Sequence, residues 1–103
     1  MSYTKLDIKQ ILNNLEFKGL KPLQEAALKE SQSANEILLL APTGSGKTLA
    51  FLLPILRRLE TDRNEVQSLI LAPTRELALQ IEKVFRQLKS GHKVLTCYGG
   101  HPF

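Results

Sequence analysis

Tryptophan is absent from this 103-residue chain, and cysteine and methionine occur once each. With Cys97 alone, no internal disulfide can form. Burial of apolar side chains must therefore hold the fold together. A chain without disulfides suits a reducing compartment, so a cytoplasmic location is the expectation. No apolar run approaches the roughly 20 residues that cross a bilayer. Residues 1–15 also lack the basic, apolar and small-residue sequence of a secretory signal, and no membrane partner is expected. Neither an internal repeat nor a low-complexity tract is present, and aspartate occurs only at Asp7 and Asp62. What remains is an ordinary globular composition, 43% hydrophobic and 23% charged, enough for one small domain. The net charge of +4 is compatible with a phosphate-rich partner without requiring one.

The most informative stretch is Ala41-Pro42-Thr43-Gly44-Ser45-Gly46-Lys47-Thr48, set between the apolar runs 36–40 and 49–53. A strand feeding a small-residue loop that opens a helix is the setting of a phosphate-binding loop. Glycines let the backbone curl until several N–H groups face one anion. The helix start adds free donors and a partial positive charge. Lys47 is placed to reach the outer phosphates, and the Thr48 hydroxyl to ligate Mg²⁺. The spacing of Gly46, Lys47 and Thr48 fits the Walker A pattern, although Ala41 stands where that pattern has its first glycine.

The flanking pattern is βαβαβ. Thr4 is placed to cap a helix over 5–15, whose residues Ile8, Ile11, Leu12 and Leu15 fall on one face. Pro22 suits the first turn of a second helix over 22–30. Strands are expected at 36–41, 68–72 and 93–98. A mostly apolar helix is expected over 46–59, bent at Pro54. Thr74 is placed to cap a further helix over 75–89, with a buried stripe of Leu77, Ile81, Val84, Phe85 and Leu88 and a stop at Ser90-Gly91. The mixed charges Arg57, Arg58, Glu60, Asp62, Arg63 and Glu65 read as a solvated helix end and loop. Strands alternating with helices predict a parallel sheet with right-handed crossovers, an α/β fold.

These residues resemble the beginning of a DEAD-box ATP-dependent RNA helicase, over nearly the whole chain. Residues 41–48 are identical to the form motif I takes in that family. Pro73-Thr74-Arg75-Glu76-Leu77-Ala78 is similar to motif Ia and is the more discriminating segment. Gly99-Gly100 resembles the family's paired glycines. Phe17 to Gln24 is similar to the Q motif, with Gln24 at the glutamine and Phe17 at the aromatic, but Glu16 stands where a glycine is frequent and Lys21 where threonine is common. The resemblance implies a partial RecA-like P-loop domain: residues 1–35 as N-terminal helices with the Q-motif-like segment, and 36–103 as the first part of the ATP-binding domain. It implies ATP and Mg²⁺ as cofactors, with Lys47 and Thr48 catalytic. Nucleotide contacts are implied for Phe17, Gln24, Ala41, Thr43, Gly44, Ser45, Gly46, Lys47 and Thr48. A glutamine can read adenine N6 and N7 together. A further aromatic for the adenine has Tyr3 as its candidate, and Leu6 as a poorer one. Pro73, Thr74, Arg75, Gly99 and Gly100 are implied in sequence-tolerant binding to RNA phosphates.

No Asp-Glu-Ala-Asp segment occurs, so the chain reads as truncated before the motif II strand. The second RecA-like domain and its arginine finger would also lie elsewhere in the parent protein. Negligible unwinding and very weak ATP hydrolysis are expected of these residues alone. Since the family sets the motif II strand inside the sheet, uncovered apolar edges and self-association are expected too. Two other readings stay open here: a DNA helicase of the RecQ kind, and a non-catalytic nucleotide- or RNA-binding module.

Overall fold

The computed structural model describes residues 6–42 and 46–98. It contains four helices in chain order: α1 (Ile8–Leu15), α2 (Pro22–Glu30), α3 (Lys47–Arg58) and α4 (Arg75–Gln87). Tyr3, Thr4, Thr43, Gly44, Ser45, Gly99 and Gly100 lie outside the described residues.

Local chemistry sets the helix ends. α1 starts later than the expected residue 5, because the Asp7 carboxylate caps it by accepting the Gln10 N–H at 3.1 Å. α2 begins at Pro22 as expected. α3 continues past Pro54 to Arg58. α4 is capped by Thr74, whose hydroxyl accepts the Leu77 N–H at 3.1 Å. Its C-terminus is a correction: the helix stops at Gln87, and Lys89, with φ 52°, leaves it before Gly91 (φ 85°) is reached.

α3 is the centre of the packing, with α2 on one side and α4 on another. Ala50, Leu52 and Leu53 are fully buried. Around them cluster Ile11 of α1, Leu49, Leu56 and Leu59, and Ile81, Phe85 and Leu88 of the α4 region. Burying each such large side chain contributes about 1.5–3 kcal/mol. Polar bonds fix how the helices lie on one another. The Asn14 amide donates to the Leu88 carbonyl at 3.1 Å, bringing the end of α1 to the end of α4.

Arg57 and Arg58 are not a solvated end. The Arg57 guanidinium donates to the Leu28 carbonyl (3.1 Å) and to the Ser31 hydroxyl, and Arg58 donates to the Ser31 carbonyl (2.7 Å). Two cations thus satisfy the exposed carbonyl end of α2, where the helix dipole favours them. Gln24, near the start of α2, bonds Gly46 at the start of α3. The two helices therefore lie side by side in the same direction, and residues 31–46 must return the chain between them.

Among the described residues, no two of the segments 36–41, 68–72 and 93–98 pair in a ladder, so the expected parallel sheet is not seen here. They nonetheless keep the two-residue alternation of strands. Leu38, Leu40, Leu69, Leu71 and Leu95 are 79–85% exposed, while Leu39, Ala41, Ala72, Val94 and Thr96 turn toward the helices. The physical reason is one of partners. A strand's backbone is satisfied only by a neighbour in register, and these segments have no such neighbour among the described residues. At the one tight return, a side chain does this work: Gln67 accepts the Glu60 N–H (2.7 Å) and donates to the Glu60 carbonyl (3.0 Å).

Glu16 closes α1 with φ 60° and ψ 35°, a left-handed conformation that suits glycine. This is where the resemblance noted a frequent glycine. Glu16→Gly is expected to stabilise the chain by about 0.5–1 kcal/mol, read as a raised urea midpoint at unchanged slope.

Candidate functional site

The start of α3 is built to face an anion. Gly46 is its N-cap at φ 85° and ψ 28°. The left-handed backbone demands glycine at 46, and a Cβ there would also displace the Gln24 amide and press on Lys21 Cδ at 3.1 Å. The Gly46 carbonyl faces the protein, accepting the Ala50 N–H at 3.0 Å and Gln24 Nε2 at 3.3 Å. The N–H groups of Lys47, Thr48 and Leu49 fall in the first turn and have no acceptor within the helix. No acidic residue lies in that turn, and Arg57 and Arg58 lie in the last, so the dipole is unopposed at its positive end. Lys47 is exposed and Thr48 half-buried, while Leu49 and Ala50 anchor the turn in the core.

Gln24 is held inside the fold. It is 2% exposed, and its amide is already engaged at both ends. Oε1 accepts the Lys21 N–H at 2.8 Å, as a capping-box residue does for its own helix. Nε2 holds the Gly46 carbonyl. Phe17 is 49% exposed and lines an open groove with Asp7, Lys9, Gln10, Asn13 and Lys18. Gln24 does not line that groove, so the structure does not bring the two expected adenine contacts into one cavity. Leu6 packs against the core. Ala41 is half-buried and Pro42 exposed just before the loop.

Toward metal, the donor set is thin. Among the described residues no group of three His, Cys, Asp or Glu side chains converges. The Thr48 hydroxyl supplies one oxygen where Mg²⁺ takes about six. Lys47 and the free N–H groups at the start of α3 suit a phosphate, and Mg²⁺ fits these residues only together with one.

A second constellation lies at the start of α4. Pro73, Thr74 and Arg75 are all exposed. Among the described residues Arg75 pairs with no carboxylate; its Cζ sits 5.0 Å from the centre of the Tyr98 ring. Tyr98 directly precedes Gly99-Gly100 in the sequence, and the contact sets that end of the described chain against the start of α4. The sequence reading passed over Tyr98, although an aromatic beside paired glycines was visible. It also passed over the grip of Arg57 and Arg58 on α2, which no local pattern announces.

A family model described as DEAD/DEAH box helicase matches residues 21–103. The chain belongs to the DEAD/DEAH box helicase family. It is 40% identical to the pre-mRNA-splicing ATP-dependent RNA helicase PRP28 of Meyerozyma guilliermondii, over 90% of this chain and 20% of that relative. It is 44% identical to the ATP-dependent rRNA helicase RRP3 of Eremothecium gossypii, over 96% of this chain and 22% of that one. With the ATP-dependent RNA helicase DeaD of Escherichia coli the identity is 37%, over 96% of this chain and 16% of the relative. The chain thus spans about a fifth of the length of the curated relatives it matches. No solved structure matches it.

Gly46→Ala is expected to destabilise the chain by about 1–3 kcal/mol, from the left-handed backbone and the displaced Gln24 amide together. Because the clash is with Gln24, the cost should fall by about 1 kcal/mol in a Gln24→Ala background. A double-mutant cycle in urea checks this, and strict additivity would count against the clamp.

Proposed function

We propose that this chain is the ATP- and RNA-binding portion of a DEAD-box ATP-dependent RNA helicase. The observation that carries the reading is the Gln24–Gly46 bond. It ties the Q-motif-like segment to the phosphate loop, within the residues the family model matches. Backbone N–H groups at the start of α3 hold the phosphates, and Lys47 offsets the charge of the outer ones. The Thr48 hydroxyl ligates the Mg²⁺ that accompanies ATP. Thr43, Gly44 and Ser45 complete the cradle. Two of the four hydrogen-bonding positions of the Gln24 amide are spent internally, leaving one N–H and one oxygen lone pair. That is the pair adenine N7 and N6 require; with Gln24 2% exposed, reading the base needs the residues over it to open first, and Phe17 lies in a separate groove.

RNA is held through its phosphates by Thr74, Arg75 and the α4 start, with Pro73, Gly99 and Gly100 allowing close approach of the strand. Such contacts carry no sequence information and weaken with salt. In this reading segments 36–41, 68–72 and 93–98 are strands of a RecA-like parallel sheet, residues 1–35 its N-terminal helices and 36–103 its first part. The outward leucines of those segments are covered by the remainder of the parent domain, or by self-association of this chain. The carboxylates of motif II and the second RecA-like domain with its arginine finger belong to the parent, which would clamp one RNA strand on binding ATP and release it after hydrolysis. The exposed free Cys97 suits a cytoplasmic, reducing setting.

Lys47→Ala is expected to weaken binding of a fluorescent ATP analogue at least tenfold with an unchanged thermal midpoint. Unchanged affinity would overturn the nucleotide assignment.

A further inference from the structure

We infer that Tyr98 is a positioning residue for RNA: its ring supports one face of the Arg75 guanidinium and leaves the edge donors free for a phosphate. The inference rests on the RNA reading of Arg75 proposed above and assigns its orientation to a residue that reading did not use.

The argument begins with what Arg75 does not do. Among the described residues it makes no hydrogen bond and no ion pair; its one interaction is with the Tyr98 ring, 5.0 Å from Cζ to centroid. An arginine carries five N–H donors, all in the plane of the guanidinium. A ring against one face stabilises the cation without consuming any of those donors. The nearby carboxylate is committed elsewhere. Glu82 accepts the Thr96 hydroxyl at 2.8 Å and lies 3.5 Å from Arg86. Among the described residues no carboxylate is paired with Arg75.

The same bond shows why Tyr98 is held where it is. Glu82 lies seven residues beyond Arg75, which places both on one face of α4 about 10 Å apart. Thr96 and Tyr98, two residues apart, lie on one side of an extended segment about 7 Å apart. Thr96 meets Glu82 and Tyr98 meets Arg75, so the segment runs back along α4, pinned at both points. Val94, two residues earlier on the same side, packs on the core. Val94, Thr96 and Tyr98 thus form a three-point register that carries the ring to the edge where Arg75 projects. A free arginine would lose rotamer entropy on docking a phosphate; this one has part of that loss already met.

The test uses a fluorescein-labelled 12-nucleotide oligouridylate, titrated against the chain at several salt concentrations, with Tyr98→Phe, Tyr98→Leu, Arg75→Ala and the Tyr98→Leu/Arg75→Ala pair. Tyr98→Phe, which keeps the ring, should bind within about twofold of the unaltered chain. Tyr98→Leu should bind about 2- to 5-fold more weakly, the worth of a cation–π contact at an exposed site. Its log K against log salt should flatten toward that of Arg75→Ala, which loses about 0.7 in slope for one single-strand phosphate contact. Adding Tyr98→Leu to Arg75→Ala should change nothing further. The ring-current shift of the Arg75 side-chain protons should persist in Tyr98→Phe and vanish in Tyr98→Leu. The inference is overturned if Tyr98→Leu binds as the unaltered chain does, if Tyr98→Phe is as weak as Tyr98→Leu, or if the two losses multiply in the pair. If Arg75→Ala alone leaves both affinity and slope unchanged, the RNA reading of Arg75 falls, and the role of Tyr98 falls with it.

Discussion

One helix must be buried on nearly every side while its first turn stays open. α3 meets both demands at once. Ala50, Leu52 and Leu53 have no exposed surface, so α2, α4 and the Ile11 face of α1 have to close around them. Yet Lys47, three residues before Ala50, remains in solvent. The hydrophobic gain from covering α3 is what orders the chain, and the unsatisfied N–H groups at its start are what the ordering leaves for chemistry. Stability and binding are two ends of the same twelve-residue element.

The Gln24 amide links those two ends of the problem. Buried polar groups are tolerated only when paired, and this one is paired to a helix cap on one side and to the phosphate loop on the other. The Q-motif-like segment is thereby made part of the fold itself. The Gly46 conformation, the absence of a Cβ there and the position of the amide are one interlocking condition.

Much of this was legible in the chain. The apolar stripe of α4 reads directly from Leu77 to Leu88, and the Thr74 cap and Pro22 start follow from side-chain chemistry that acts over three residues. The loop at 41–48 and the Pro73–Ala78 segment identify the family without any coordinates. What sequence could not supply were features decided by distant residues or by backbone sign. Asp7 wins over Thr4 as the cap of α1. Glu16 and Lys89 take left-handed conformations that their side chains would not suggest. Arg57 and Arg58 look like surface charge until the end of α2 is placed beside them. The strands were legible as periodicity, and the outward leucines show that periodicity intact, but pairing depends on neighbours that no local pattern contains.

The grip of Arg57 and Arg58 on Ser31 has a mechanical meaning when set beside the Gln24 bond. α2 and α3 are fastened at both ends: amide to carbonyl at the start, guanidinium to hydroxyl and carbonyl at the finish. Two rods joined at both ends cannot slide past each other. Any displacement imposed on the start of α3 must then be carried by the pair as a single lever, with its far end at Ser31 about three helical turns away along α3. Motion at the site is converted into rotation of a rigid bar rather than absorbed by slippage at its own base.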